Sequence, residues 1–264
     1  MAPSYRLDGK TALVTGSSRG IGLTIARAFV DAGAQVMLSA RDPGRLRDAS
    51  EAFGRSSPRV AWSACDVAEP AQVEALVSAT TQRFGTVDIL VNNAAVLGPV
   101  GPVWENDPAL WRRAIEVNLL GAFLCCQAVV PRMIQQQRGK IINLSGRGAA
   151  AAWSNFSAYG ASKTAVVRFT EGLAAEVKPY NIQVNVMAPG ANDTTLFREA
   201  ARHEPAMLAD LPVDPDKPAR LALFLASEQS DHITGRFIHV NQDWAAWTRA
   251  DLPEGRYTLR RVPA

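Results

Sequence analysis

A chain of 264 residues is long enough for one large α/β domain or two small ones, and 47% hydrophobic with 20% charged residues is typical of a folded globular protein. This composition excludes disorder as the main state. The net charge of +3 comes without a long run of Lys or Arg, so the sequence predicts no nucleic-acid partner.

Seven apolar runs rich in Val, Ile and Leu alternate with longer helical segments along the chain. The runs predict strands at residues 11–15, 35–39, 59–64, 88–92, 140–145, 181–187 and 236–240. Their nearly continuous hydrophobicity is typical of parallel strands that are buried on both faces. We therefore expect a single doubly wound α/β domain over residues 1–264, with its core at about residues 10–240. In such a fold, ligands bind beyond the carboxyl ends of the strands.

A glycine-rich loop, TGSSRGIG, follows the first predicted strand and leads at once into a helix. Its three glycines, at 16, 20 and 22, would let the backbone approach a pyrophosphate, which the N–H groups at the helix N-terminus would stabilise. The spacing departs from the common G-x-G-x-x-G pattern, and glycines at such a turn can also serve packing. The loop alone leaves both interpretations open.

The end of the second predicted strand bears on which dinucleotide would bind. A site for NAD usually has an Asp or Glu there, which binds the ribose 2′-hydroxyl. This chain has Arg41 at that point, and Arg19 lies within the glycine-rich loop. Two guanidinium groups suit the 2′-phosphate of NADP, which accepts bidentate hydrogen bonds. Asp42 follows at a predicted helix start, where a cap is its simplest role, so the pattern favours NADP(H) over NAD(H).

Polar residues also end the third and fourth predicted strands. Asp66 in CDV and Asn92 in NNAA lie at the edge of the sheet where a nucleotide is expected. Each residue has a structural alternative, because Asp66 could cap the next helix and Asn92 could stabilise a turn. We predict that both contact the nucleotide.

The segment that runs from the fifth strand into the next helix carries a pair suited to proton transfer. Tyr159 and Lys163 are four residues apart, so they face the same way on a helix. A phenol can protonate a carbonyl oxygen that gains charge, and a neighbouring ammonium group favours the phenolate and lowers the phenol's pKa. Asn118 lies in an apolar helix in register with Trp111 and Ile115, which predicts an inward-facing amide.

The motifs TGSSRGIG, NNAA, VNLLG, YGASK and APG occur in this order, and with them the chain resembles the short-chain dehydrogenase/reductase family from about Lys10 to Val240. The resemblance implies a Rossmann-type domain with a seven-stranded parallel sheet flanked by helices, assembled as a homotetramer or dimer. It also implies hydride transfer between a nicotinamide and a carbonyl or alcohol group of a small molecule.

The same resemblance assigns roles to individual residues. Tyr159 would be the acid/base, Lys163 would bind the ribose and lower the phenol's pKa, and Asn118 would hold a water in the proton relay. Thr194 matches a threonine that contacts the cofactor near its nicotinamide. The residues predicted to bind the cofactor are Gly16, Ser18, Arg19, Gly20, Ile21, Gly22, Arg41, Asp66, Val67, Asn92, Ala94, Tyr159, Lys163, Pro189, Gly190 and Thr194.

One position departs from the family pattern. Members commonly carry a serine 13 residues before the tyrosine, and this chain has Gly146 there. Ser145 is one residue early, and neighbours in an extended segment point to opposite faces. Three explanations stay open: the SGRG turn rotates Ser145 into the site, a water fills the space, or Ser157 reaches in. Ser145 is kept as a catalytic candidate, and Arg147 and Trp153 are candidates for substrate contact, with a solvated surface position and a subunit contact as their alternatives.

Two regions have no readable chemical code for a substrate: the proline-rich segment 191–218 and the tail 241–264. In the tail, Trp244 and Trp247 are three residues apart, and such a pair is more typical of a packing or interface surface than of a ligand platform. We expect the tail to pack on a neighbouring subunit; folding over the active site is the alternative.

The sequence therefore predicts an NADP(H)-dependent oxidoreductase for a ketone or secondary alcohol of a small polar metabolite or natural-product intermediate. Gly146 leaves two alternatives, a homologue that binds cofactor with little turnover and an epimerase or dehydratase that uses bound nucleotide. Three cysteines, an odd number in apolar surroundings, predict reduced thiols in a cytoplasmic protein. The three histidines lack ligand spacing and no apolar run reaches ~20 residues, so neither a metal nor a membrane contact is expected.

Overall fold

The predicted parallel sheet is confirmed in the computed structural model, which describes residues 5–54, 57–211, 214–253 and 255–259. Within these residues, seven parallel strands form one sheet in the order β3-β2-β1-β4-β5-β6-β7. The strands are β1 (Thr11–Thr15), β2 (Gln35–Ala40), β3 (Val60–Ala64), β4 (Ile89–Asn92), β5 (Gly139–Leu144), β6 (Ile182–Ala188) and β7 (Phe237–His239). The order reverses between β1 and β4, which is where ligands bind in such sheets.

Helices cover both faces of the sheet. They are α1 (Gly20–Asp31), α2 (Pro43–Glu51), α3 (Pro70–Phe84), α4 (Pro108–Ile115), α5 (Gly121–Gln136), α6 (Ser157–Val177), α7 (Thr195–Ala201) and α8 (Lys217–Ala226). A π-helical turn, Glu116–Leu120, joins α4 to α5. One core lies under α1, α2 and α8, and a second lies under α3, α5 and α6.

The strand sequences explain this double-sided core. Successive side chains of a strand point to opposite faces of the sheet. In β1, Leu13 enters the core under α3 and α5, and Val14 enters the core under α1 and α8. All five residues of β1 and all six of β5 are buried, so these strands read as continuous apolar runs.

The helical run Pro108–Gln136 is 29 residues long, and an 18-residue window within it has a mean hydropathy of 1.6, so by length and composition it could cross a membrane. From the sequence we expected no membrane contact, because no uninterrupted apolar run reaches ~20 residues. In the fold, its C-terminal part packs into the core through Cys125 and Met133. Half of the apolar window is buried inside the protein.

The C-terminal tail packs on its own chain. The Trp244 ring lies 5.1 Å from that of Phe224 in α8, and the Trp247 ring stacks on Tyr257 at 4.2 Å. The N–H of Phe237 in β7 donates to Tyr257 O at 2.7 Å, so the tail occupies the outer edge of the sheet. No described tail residue lines the active-site cavity. Contact with a second subunit stays a prediction, and residues 254 and 260–264 of the tail lie outside the described part.

Candidate active site

A cavity of about 360 Å³ opens at the carboxyl ends of the strands. The first residues beyond β1, β2, β3, β4, β5 and β6 reach it, as expected for ligand binding in a doubly wound sheet. Among its lining residues are Gly16, Arg41, Asp66, Asn93, Ser145 and Pro189. All residues predicted to bind the cofactor line this cavity except Gly22, Asn92 and Gly190.

Asn92 does not reach the cavity because its side chain points into the protein. The Asn92 amide donates to Asn143 Oδ1 at 2.9 Å, which links β4 to β5. Its neighbour Asn93 lines the cavity instead, and its Nδ2 donates to Thr15 O and Gly16 O, both at 2.9 Å. The doubled Asn of the NNAA motif was the available signal, since neighbours at a strand end face opposite ways.

Asn93 also explains why the loop needs small residues. A Cβ at Gly22 would come 2.4 Å from Asn93 Nδ2, and a Cβ at Gly16 would come 2.8 Å from Ala94 Cα. Gly22 therefore serves close packing of the loop against the segment that follows β4. Gly190, with φ +70, lies against Val240, and its Cβ would approach Val240 Cγ1 to 3.2 Å.

The start of α1 suits the phosphates of a dinucleotide. Arg19 is the N-cap residue, no side chain caps the helix, and its first turn has no acidic residue. The first N–H groups of a helix lack partners within it and attract anions, so this uncapped end facing the cavity can receive a pyrophosphate. A Cβ at Gly20 would fill the gap toward Thr194, 3.2 Å from its Cγ2. The residues present thus fit the cofactor that the motifs imply.

Three arginines line the cavity where the adenosine end of a dinucleotide is expected: Arg19, Arg41 and Arg45. Asp42 also lines it, and its carboxylate accepts from the Arg45 N–H at 3.1 Å and pairs with the Arg45 side chain at 3.4 Å. Asp42 therefore caps α2, as predicted. The Asp42 carboxylate, which is nearest to Arg41 in sequence, is engaged in this cap. The guanidinium groups of Arg19 and Arg41 are therefore left to face the cavity.

Asp66 lines the cavity but is shared with the protein. Its carboxylate accepts from the Ala68 N–H at 3.1 Å and from the Arg113 guanidinium in a short ion pair. The predicted alternative, a cap on the next helix, does not occur, because α3 begins after Glu69. Asp66 thus has one carboxylate oxygen toward the turn and one toward α4.

Tyr159 and Lys163 lie in the first turns of α6, and both line the cavity. Lys163 Nζ donates to Leu144 O at 2.9 Å and lies 5.6 Å from the centre of the Tyr159 ring. Burial raises the pKa of Tyr159 to about 12 and lowers the pKa of Lys163 to about 8. The sequence led us to expect a lowered pKa for the phenol; in the cofactor-free protein, desolvation dominates instead.

Asn118 lies in the π-helical turn and does not line the cavity. Its side chain accepts from Val96 N at 2.8 Å and donates to Val96 O at 2.9 Å and to Ser162 Oγ at 3.0 Å. Ser162 Oγ in turn donates to Tyr159 O at 2.7 Å. Asn118 thus braces the loop after β4 against α6 and holds the backbone of the tyrosine. Both amide hydrogens are engaged, so its side chain is not open to donate to a relay water.

The two serines considered as donors are engaged elsewhere. Ser145 lines the cavity, but its hydroxyl donates to Lys163 O at 3.2 Å. Ser157 Oγ accepts from Asn106 Nδ2 and from Trp111 Nε1, each at 3.2 Å. Ser145 is directed at Lys163 O and Ser157 does not line the cavity, so the structure supports neither serine as the replacement for the missing one.

Gly146 faces the Tyr159 hydroxyl. A Cβ built at this position would come 2.4 Å from Tyr159 Oη and 3.1 Å from its ring. The tyrosine therefore occupies the room that a side chain at 146 would need. Among the described residues, no side chain or backbone group forms a hydrogen bond with Tyr159 Oη.

A lid formed by residues 191–211 closes over the tyrosine. Glu204 in this lid accepts from Trp153 Nε1 at 2.7 Å and pairs with Arg147 at 3.0 Å. Arg147 also lies 3.6 Å from Asp210. Trp153 meets the Tyr159 ring edge-on at 5.9 Å. The two residues predicted to contact substrate therefore tie the lid to the loop that follows β5.

Comparison with known proteins agrees with this geometry. A family model for short chain dehydrogenase matches residues 10–205. The L-fucose dehydrogenase of Bos taurus is 36% identical over 100% of this chain and 97% of its own length. The galactitol 2-dehydrogenase of Agrobacterium fabrum is 33% identical over 89% of this chain and 97% of its own. The gluconate 5-dehydrogenase of Burkholderia cenocepacia, solved in complex with NADP and tartrate, is 35% identical over 89% of this chain and 95% of its own, with a TM-score of 0.81.

Proposed function

The chain belongs to the short-chain dehydrogenase family, and we propose that it interconverts ketones and secondary alcohols of small polyhydroxylated metabolites with NADP(H). The observation that carries the proposal is one cavity lined by both Tyr159 with Lys163 and Arg19 with Arg41. The substrate class is supported by relatives named for fucose, galactitol and gluconate.

The residues of the site divide the chemistry among them. A bound nicotinamide would supply the hydride to the carbonyl carbon. Tyr159, which is protonated at neutral pH because burial raises its pKa to about 12, donates a proton to the carbonyl oxygen. Lys163 holds an ammonium group below the ring and is placed to bind a ribose hydroxyl. Leu97 and Phe197 pack in one apolar cluster with Tyr159 and limit the access of water on that side of the ring.

The first experiment measures NADPH oxidation against a panel of ketones and keto-sugars, with Tyr159→Phe beside the wild type. We expect turnover to fall by about 10²- to 10⁴-fold, because the variant has lost its proton donor, while NADPH affinity stays unchanged. Tyr180→Phe removes the same hydroxyl at a residue outside the cavity and should retain full activity. Equal turnover in wild type and Tyr159→Phe would remove the tyrosine from the mechanism.

The preference for NADP(H) depends on Arg41. We expect Arg41→Asp to raise the dissociation constant of NADPH by about 10- to 100-fold, since a charge-assisted hydrogen bond contributes about 1.5–3 kcal/mol, and to leave that of NADH nearly unchanged. Arg47→Asp makes the same charge change on an exposed residue of α2 outside the cavity and is the control. Equal weakening of both nucleotides by Arg41→Asp would contradict the assignment.

Gly146 favours a second candidate, a homologue that binds the cofactor with little turnover. Tight NADPH binding without oxidation by any panel member would support it, and nucleotide retained through purification would support the epimerase or dehydratase alternative.

We also propose a cytoplasmic homo-oligomer. Free, buried cysteines support the cytoplasmic location. The exposed apolar side chains of Leu120 in the π-helical turn and Phe123 in α5 support the assembly, which light scattering in solution would test.

A further inference from the structure

Among the described residues, no side-chain or backbone donor forms a hydrogen bond with the Tyr159 hydroxyl. When a hydride adds to a carbonyl carbon, negative charge develops on the oxygen, and each well-placed donor stabilises that charge. Tyr159 supplies one donor. The facing residue, Gly146, has no side chain, and the tyrosine itself fills the room where one would begin.

The hydroxyls closest in sequence are directed elsewhere. Ser145 has a single hydroxyl hydrogen, which Lys163 O accepts at 3.2 Å. Ser157 Oγ accepts from Asn106 and Trp111 at the N-terminus of α6, and Ser157 does not line the cavity. Neither hydroxyl is therefore placed to donate to the substrate oxygen.

The guanidinium closest to Gly146 in sequence is also engaged. Arg147 pairs with Glu204 at 3.0 Å and approaches Asp210 to 3.6 Å, so its charge is neutralised by the lid. Its plane lies against the Trp153 ring, with 5.3 Å between Arg147 Cζ and the ring centre. Arg147 therefore closes the site and is not directed at the carbonyl oxygen.

A water at this position would need two to four polar partners to be kept in place. On one side, Tyr159 packs in an apolar cluster with Leu97, Phe156, Phe197 and Met207, which supply no such partner. A hydroxyl that is covalently attached to the substrate needs no such partners, because it arrives already positioned beside the reacting carbon.

We propose that the substrate itself supplies the missing donor, through a hydroxyl group on the carbon next to the reacting carbonyl. The substrates are then α-hydroxy ketones, and vicinal diols in the reverse direction. Hydride adds to the carbonyl carbon, the Tyr159 proton goes to the carbonyl oxygen, and the neighbouring hydroxyl keeps its own proton while it donates a hydrogen bond. This inference rests on the proposed function and narrows it from polyhydroxylated compounds in general to one local arrangement.

The test compares three ketones of one ring with the wild-type enzyme: 2-hydroxycyclohexanone, 2-methylcyclohexanone and 2-methoxycyclohexanone, at saturating NADPH. The methyl compound has nearly the same shape as the hydroxy compound without a donor. The methoxy compound keeps the electron-withdrawing oxygen without a donor. We expect kcat/KM for the hydroxy ketone to exceed both others by about 10²-fold or more, the effect of one donor at such an oxygen.

Two variants locate the effect at residue 146. Gly146→Ala and Gly146→Ser add the same Cβ, so both displace Tyr159 equally, and only serine adds a hydroxyl. We expect the ratio of kcat/KM for the hydroxy ketone to that for the other two ketones to fall in Gly146→Ser and to persist in Gly146→Ala. If either variant fails to fold, the wild-type series alone decides.

The outcomes separate this inference from the proposed function. Wild-type kcat/KM values for the hydroxy and methoxy ketones that agree within about threefold would overturn the inference and leave the reductase intact. Absence of NADPH oxidation with all three ketones and with the wider panel would overturn both. An advantage of the hydroxy ketone that is unchanged in Gly146→Ser would place the effect elsewhere in the cavity and so reject the role of position 146.

Discussion

Lys163 carries a charge that the fold buries almost completely, with 3% of the residue exposed. Its pKa is about 8 in the folded protein, below the ordinary 10.5 of the unfolded chain, because burial disfavours the ammonium form. Between pH 8 and 10.5 the unfolded chain therefore binds more protons at this residue, and stability rises with pH. Below pH 8 the buried charge destabilises the fold by about 3 kcal/mol, since each pH unit between the two values corresponds to about 1.4 kcal/mol.

A prediction follows for Lys163→Met in the cofactor-free protein. The variant should gain stability relative to wild type at pH 6–8 and lose that gain as pH rises through 10, because the wild-type lysine is then neutral. Urea unfolding at several pH values measures the difference in unfolding free energy between the variant and the wild type. Titration of the buried cysteines contributes equally to both proteins and cancels in this difference. Lys178→Met, at an exposed lysine near the end of α6, should show no such dependence. A difference that does not vary with pH would contradict the buried charge.

At the level of residues, spacing predicted which side chains meet but not what they bind. The four-residue interval places Tyr159 and Lys163 on one face because helix geometry is local. The hydrogen bonds of Ser145 and Asn118 depend on Lys163 O and on Val96, which tertiary packing brings close. Their orientation was therefore beyond the sequence, as was the choice between Asn92 and its neighbour.

At the level of elements, Glu204 makes the shortest polar contacts between the lid and the loop that follows β5. Glu204 joins Trp153 and Arg147, while Phe197 and Met207 anchor the lid in an apolar cluster. The ion pair is partly exposed, with 48% of the Arg147 side chain and 34% of that of Glu204 accessible, so it contributes less than about 1 kcal/mol. The tryptophan hydrogen bond adds about as much. Together these contacts set how readily the lid opens without deciding whether it folds.

We expect Glu204→Ala to raise KM for the ketone about three- to tenfold with a smaller change in kcat, because the lid closes less often over bound substrate. Steady-state kinetics and the fluorescence of Trp153 measure the two effects. Glu199→Ala, on an exposed residue of α7, is the matched control and should behave as wild type. A loss confined to kcat would instead place Glu204 in the chemical step.

The strands were predicted within about two residues at each end. The inner strands β1, β4, β5 and β6 are buried along their whole length, and their apolar residues therefore mark their positions in the sequence. The π-helical turn at Glu116–Leu120 and the lid helix α7 left no comparable pattern. Both elements are placed by contacts with α6 and with the apolar cluster around Tyr159. Such contacts leave no periodic pattern in the sequence.

For the whole molecule, the tail matters through the core that it completes. Trp244 packs on Phe224, and Leu252 is buried at 7% exposure in the same core. We expect Trp244→Ala to lower the free energy of unfolding by about 2–4 kcal/mol, because a large ring leaves a partly buried site. Trp104→Ala, at a residue 81% exposed, should change it by less than about 0.5 kcal/mol. Equal effects in urea unfolding would show that the tail is not part of the core.

The hydrogen bond from Phe237 to Tyr257 has a consequence for self-association, because it covers an N–H group at the edge of the sheet. An edge strand with open N–H groups is a template to which other chains can add strands. Terminal segments open locally at a lower free energy than the whole domain unfolds. We therefore expect the first species on warming to be a folded domain with β7 uncovered, and the onset of aggregation to precede loss of the Rossmann core.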